Sequence, residues 1–211
     1  MKKVIVIALW ALLGATVATV SLAFVAINEG WIGYMPPIEE LQIPFNRYAT
    51  QVISADGKVM GTWNYNRENR IMVDYTQLAP SLVKALVATE DVRFYDHSGI
   101  DFYALGRAVV KRGLLGNKSA GGGSTITQQL AKNAYLTQDR TMKRKVQEVF
   151  LALQLERQYT KQEILELYLN QIYFGQGAYG VQAAAKTYFG KNVEDLDLNE
   201  CRSEERRVGK E

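Results

Sequence analysis

The sequence predicts a mainly α-helical domain carried behind an N-terminal transmembrane helix, with a small membrane-proximal β element between the two. Three observations support this. Residues 4–27 are an unbroken uncharged run rich in Val, Ile, Leu and Ala, and at about 1.5 Å per residue they cover the roughly 30 Å of a bilayer core. Asp56-Gly57 lies between two β-prone runs, a strong short-range hairpin signal. From Pro80 to Gly190 apolar residues recur at helical spacing between capping residues.

In chain order, Lys2 and Lys3 precede the apolar run. A cleaved signal peptide would have a shorter apolar stretch, about 7–15 residues, and a small-residue cleavage site, neither of which is evident before Glu29. The segment therefore reads as an uncleaved signal anchor. Its flanking cations are N-terminal, so the positive-inside rule leaves residues 1–3 as a cytoplasmic tail, 4–27 as the span, and everything after about Asn28 outside the cytoplasm. Residues 28–79 form a stem with Pro36-Pro37 and then the β element: strands over 47–54 and 58–63, with 70–73 as a third. Pro80 opens a helix carrying Leu82, Val83, Leu86 and Val87. Further helices are expected at about 101–115, 124–136, 141–158 and 161–174, the last with Thr160 and Glu163 at capping-box spacing, and at 178–189 with Gly190 as its stop. Residues 80–200 form the main domain, and with Cys201 as the sole cysteine its stability rests on packing rather than an internal disulfide.

The charge is gathered in one place. Between Arg107 and Lys145 nine Lys or Arg stand against one acid, Asp139, a net +8 in a chain whose total is +3. Such concentration implies an anionic ligand. Outside the cytoplasm that ligand is expected to be a phosphorylated lipid or its headgroup, not nucleic acid.

Within the basic segment, the glycine run 121–123 leads into Ser124, read as the N-cap of a helix whose first N–H groups face outward and suit phosphate. No Gly-Lys-Ser/Thr follows, which excludes a nucleotide P-loop. Ser124, Gln128, Gln129, Lys132 and Asn133 then form a polar face that is either solvated or meets a polar ligand. Glu90 ends an apolar helix; it reads either as solvated surface or, beside Phe94, Tyr95 and Phe102, as a general base in partly apolar surroundings. Arg144 and Glu148 stand at i, i+4 off an apolar stripe of Val146, Val149, Phe150 and Leu153, the pattern of a surface ion pair. Ile164, Leu165, Tyr168 and Leu169 are core, and Asn170, Gly175 and Gly177 shape the turn that follows.

Two features are set aside. Ser81 and Lys84 match the Ser-x-x-Lys of penicillin-reactive serine enzymes, but neither Ser-x-Asn nor Lys-Thr-Gly follows. His97, the only histidine, is flanked by Asp96 and Asp101 without a second His or Cys nearby, so a structural hydrogen bond is expected and no metal.

In this order, Glu90-Asp-x-x-Phe94-x-x-His97-x-Gly99, Gly123-Ser-Thr-Ile-Thr-Gln-Gln129, Arg144-Lys-x-x-Glu148 and Lys161-x-x-Ile-Leu-Glu-x-Tyr-Leu-Asn170 resemble four of the five signature motifs of the peptidoglycan glycosyltransferases, family 51. The resemblance covers about residues 80–200. Upstream, 54–58 and 78–90 are more similar to the bifunctional class A penicillin-binding proteins than to the short monofunctional enzymes. It implies a lysozyme-like helical head with a small flexible lobe, at the bacterial cytoplasmic membrane, that polymerises lipid II. The 4-hydroxyl of one disaccharide would attack C1 of a chain whose leaving group is undecaprenyl pyrophosphate, with inversion. By motif position the resemblance implies Glu90 as general base and Glu148 as a second essential carboxylate that orients the cluster or a divalent cation, Mg or Mn, bound with the pyrophosphate. It implies Ser124, Gln129, Lys132, Asn133, Arg140 and Arg144 as residues that hold the donor. The implied partners are lipid II, the nascent glycan strand, the membrane, and other proteins of cell-wall synthesis, division or elongation.

Residues 201–211 depart from that pattern. The family continues with an apolar helix and a fifth motif, whereas 202–211 carries seven charged residues in ten, and reads as a truncated or artefactual end. Two rival readings remain open. A lytic transglycosylase or muramidase also uses a Glu on a lysozyme-like body but needs no pyrophosphate clamp. A membrane-tethered scaffold would bind anionic lipid through the basic segment without catalysis.

Overall fold

The computed structural model describes residues 2–30, 50–56, 59–63, 69–110, 122–136, 141–197 and 199–201. Helix α1 (Lys2–Asn28) is unbroken, and its described side chains are almost all exposed. Among the described residues no helix is long and apolar enough to cross a membrane, so the span expected over 4–27 is not itself a structural finding.

Strands β1 (Thr50–Ile53) and β2 (Val59–Trp63) form the expected antiparallel hairpin, with Thr50 opposite Trp63 and an irregularity between Val52 and Ile53. The third strand differs from expectation. β3 (Asn69–Arg70) is shorter and pairs in parallel with β4 (Ala178–Tyr179), away from the hairpin. β4 occupies positions expected to begin a helix. The chain turns instead at Gly180, where φ is +81° and a Cβ would lie 2.8 Å from the Asn170 carbonyl oxygen, so α7 (Val181–Phe189) starts only after it. Gly190 ends α7 in the left-handed region, as expected.

The remaining helices follow their caps. Helix α2 (Pro80–Glu90) carries Pro80 in its first turn, where a missing N–H is harmless, and buries Leu82, Val83 and Leu86. Asp101 caps α3 (Phe102–Val109), accepting from Ala104 N; the rest of the 101–115 helix lies outside the described residues. Thr141 caps α5 (Met142–Gln158), and Thr160 with Glu163 forms the expected capping box on α6 (Lys161–Gln171). One cap differs from expectation. Helix α4 (Ile126–Tyr135) is capped by Thr125, whose hydroxyl accepts from Gln128 N and donates to Gly99 O at 2.8 Å. Thr125 is buried where both bonds can form, and Ser124, one residue earlier, is bonded by a lysine of α5 instead.

The core lies where α4 packs on α5 and α6, around Phe94, Ile126, Leu130, Leu151, Leu155, Ile164, Leu165 and Tyr168. Each such side chain contributes roughly 1.5–3 kcal/mol by leaving water. The α6 residues are core as expected, and Asn170 bonds both the N–H and the C=O of Val73, tying α6 to the segment after β3. The stripe expected on α5 is not the buried one. Gln147, Glu148, Leu151, Ala152 and Leu155 are buried, while Val146, Val149, Phe150 and Leu153 are only half-buried. At about 100° per residue the inward face is nearly opposite to the apolar stripe. Three of those five buried residues are apolar; Glu148 is held by Arg144 and Lys145 of its own helix, while Thr127 and Gln128 of α4 bond Glu156 and Lys145 beside that face.

Candidate active site

Glu90 is the last residue of α2 and lines an open cleft of about 490 Å³ together with Arg93, Arg107, residues 122–125 and Gln129. Its position at a helix end makes it half-buried. Glu90 Oε2 accepts from Gln129 Nε2 at 2.8 Å, and Gln129 Oε1 accepts from the Tyr168 hydroxyl at 3.0 Å. Tyr168 is 1% exposed. Burial, and secondarily the charge of Glu90, push its phenol pKa up, so it remains a protonated donor. None of the three aromatics expected beside Glu90 is among the residues that line its cleft. Phe94 is in the core, while Tyr95 and Phe102 are 56% and 75% exposed, so the side chain that meets the carboxylate is an amide.

Asp91 is buried and bonded inward. Its Oδ2 accepts from Ile126 N, at the start of α4, at 3.1 Å and lies 3.0 Å from His97 Nε2. Gly99 N donates to His97 Nδ1 at 3.2 Å, so Nε2 carries the ring proton and donates to Asp91. His97 makes its structural hydrogen bond, with Asp91 as the partner and not the flanking Asp96 or Asp101. Lys161 secures the same loop from α6, donating to His97 O at 2.6 Å and Glu156 Oε1 at 2.8 Å while lying over the Phe94 ring. The loop that follows Glu90 is therefore bonded to both α4 and α6. This also corrects the expectation of outward amides at the start of α4: Ile126 N is taken by Asp91 and Gln128 N by Thr125.

Arg93 and Asp101 also line the cleft. Arg93 donates to Asp101 Oδ2 through both Nε and Nη2 at 3.0 and 2.6 Å. Burial pushes the Asp101 carboxyl up, but the Ala104 N–H and the Arg93 guanidinium outweigh it and hold the pKa below its ordinary value.

A second group lies on α4 and α5. Lys145 Nζ donates to Ser124 Oγ at 2.8 Å and Glu148 Oε2 at 2.8 Å, with Gln128 Oε1 at 3.4 Å. Arg144 Nε lies 2.9 Å from Glu148 Oε1, an ion pair by distance. Glu148 is 3% exposed. The pair is thus interior, not the surface pair expected, and an interior carboxylate persists because two cations hold it, since leaving it unpaired costs several kcal/mol. Lys145 is the functional candidate that sequence reasoning passed over. It was counted in the basic segment, and its i, i+3 spacing to Glu148 was the available signal. Lys132 and Asn133 are half-buried further along α4, beyond Gln128 and Gln129, and have no side-chain partner among the described residues. Arg140 lies outside the described residues. Ser81 Oγ faces the Cys201 thiol at 3.4 Å, and Lys84 is exposed, so this pair is not arranged as a nucleophile and base. Among the described residues no three His, Cys, Asp or Glu form a group that could hold a metal.

The transglycosylase family model matches residues 56–203. The chain is similar to penicillin-binding protein 1A of Escherichia coli K12, 51% identical over 160 residues, which covers 76% of this chain and 18% of that protein. It is 53% identical over 133 residues to penicillin-binding protein 1F of Bacillus subtilis 168, covering 63% and 18%. To penicillin-binding protein 1A of Aquifex aeolicus VF5 it is 47% identical over 153 residues, covering 72% and 21%. The chain thus spans about a fifth of the length of these relatives.

Proposed function

The chain belongs to the transglycosylase family, and from that membership we propose that it polymerises lipid II into peptidoglycan glycan strands, with Glu90 as general base. The observation that carries the reading is the pairing of a carboxylate with a preassembled cation group at one cleft: Glu90 and Ser124 line the same space, and Ser124 bears Lys145. An inverting displacement at an anomeric carbon needs those two parts.

The acceptor's 4-hydroxyl gives its proton to Glu90 as its oxygen bonds to the donor's C1. The bond from C1 to the pyrophosphate oxygen breaks on the opposite face, and the electron pair leaves with undecaprenyl pyrophosphate. Glu90 Oε2 is engaged by Gln129, so Oε1 is the oxygen that receives the proton. The leaving charge is met by Lys145 and Arg144, oriented in advance by Glu148, with Ser124, Gln129, Lys132, Asn133 and Arg140 completing the donor site. Cations that need no reorganisation stabilise the transition state more than mobile ones.

A divalent cation, Mg or Mn, would screen the pyrophosphate charge. Such an ion would be held largely by the phosphates and needs only one or two protein carboxylates; Glu148, paired with Arg144 and Lys145, is the carboxylate that the cation group offers.

We further propose that residues 4–27 anchor the domain outside the bacterial cytoplasmic membrane, keeping it beside a substrate whose tail stays in the bilayer. Partners in cell-wall synthesis and in division or elongation follow from that placement. A muramidase would have no use for the buried cation group, and a lipid-binding scaffold would have no use for a bonded carboxylate beside it. The deciding experiment supplies purified chain with lipid II and resolves the products by size. Glycan strands are expected; lipid II bound and unchanged would leave the scaffold, and cleavage of existing strands the muramidase.

A further inference from the structure

We propose that Tyr168 is a positioning residue for glycosyl transfer, setting from the far side of Gln129 which end of that carboxamide meets Glu90. The inference rests on the reading of Glu90 as the base. A glutamine amide has one donating and one accepting end, and the two orientations have nearly the same shape. Here the chain of bonds runs one way: the Tyr168 hydroxyl donates to Gln129 Oε1 at 3.0 Å, and Gln129 Nε2 donates to Glu90 Oε2 at 2.8 Å. Reversing the amide would place its oxygen against the carboxylate, acceptor to acceptor. In a one-way chain each bond also polarises the next.

The three members differ in rigidity. Tyr168 lies on α6 among Ile164, Leu165 and Leu169, all buried, so its hydroxyl cannot move without opening the core. Gln129 and Glu90 are half-buried and border the cleft. The fixed end of the chain is thus the tyrosine, and the adjustable end is the base. Once Glu90 accepts a proton, the Gln129 N–H still needs an acceptor, so Oε2 stays unprotonated and the proton is directed to Oε1. Without the Tyr168 hydroxyl only the charge on Glu90 orients the amide, so as the arriving proton neutralises that charge the amide can turn, and the proton-accepting oxygen is no longer specified.

The test compares wild type, Tyr168→Phe, Gln129→Met and the double variant, each shown by its thermal transition to be folded. In the Tyr168→Phe protein kcat for strand synthesis from lipid II should fall about tenfold with KM unchanged, the scale of one neutral hydrogen bond. In the Gln129→Met background the same change should cost nothing further. Wild-type kcat in Tyr168→Phe, or an equal loss in both backgrounds, overturns the proposal, because a merely structural tyrosine acts regardless of Gln129. The second readout does not require activity: ¹⁵N spectra of the Gln129 side-chain amide should show one of its two protons shifted downfield by the bond to Glu90 in wild type, a shift that shrinks in Tyr168→Phe. An unchanged shift overturns the positioning role. A wild-type chain that makes no strands while the amide responds as expected would count instead against the reading of the reaction.

Discussion

Lys145 donates to Ser124 at 2.8 Å, joining α5 to the loop that precedes α4. Ser124 lines the cleft and Glu148 holds the same ammonium from behind at 2.8 Å. The cation is therefore placed before any ligand arrives, by one hydroxyl, one interior carboxylate and the Gln128 carbonyl.

Replacing Lys145 with Ala should lower turnover and weaken binding of a pyrophosphate-bearing donor by about 10-fold or more, the scale of one charge-assisted hydrogen bond. A donor analogue without the pyrophosphate should lose much less. Calorimetry with both donors checks this, and Lys132→Ala and Arg144→Ala should behave alike. Equal losses for the two donors would show a general basic surface and favour the scaffold.

Much of the fold was legible because its signals are local. The Thr160 and Glu163 box, Pro80 at the start of α2 and Gly190 at the end of α7 each act within a turn. What was not legible depends on partners far along the chain. The inward face of α5 mixes Gln147 and Glu148 with Leu151, Ala152 and Leu155, and a hydrophobic count alone selects the opposite face. Thr125 displaces Ser124 as the cap through a bond to Gly99, 26 residues away. Glu90 could be singled out from its motif, but its contact with Gln129 spans 39 residues and no periodicity encodes it.

The Arg93–Asp101 contact should add stability that depends on pH. The folded pKa of Asp101 is depressed below its ordinary 3.8, so the contribution is fully present above that value and is lost as pH falls through the lower folded one. Urea unfolding of wild type and Asp101→Asn from neutrality downward should give a difference that is constant at first and shrinks in strong acid. A difference that grows on acidification would contradict the assignment.

Ser81 is expected to remain unmodified by a β-lactam. Its hydroxyl is engaged with Cys201 at 3.4 Å, and an exposed Lys84 gives it no buried base. Mass spectrometry after incubation with penicillin should show unmodified chain, whereas a phosphoglycolipid shaped like the donor should compete with lipid II. An acyl adduct on Ser81 would refute this.

Glu90→Gln isolates the proton transfer from everything else that Glu90 does. The new carboxamide oxygen can still accept from Gln129 Nε2, where the carboxylate now does at 2.8 Å, so the chain back to Tyr168 and the wall of the cleft keep their shape. Neither Asp91, which holds α4 and His97, nor the Lys145 group is touched. What disappears is the capacity to take a proton from the attacking hydroxyl, and a general base is worth about 10²–10⁴ in rate. Strand synthesis should fall by at least about 100-fold while the thermal transition and lipid II affinity stay near wild type. Near-normal turnover in a folded Glu90→Gln protein would move the base elsewhere; lost affinity with the same turnover per bound substrate would make Glu90 a binding residue.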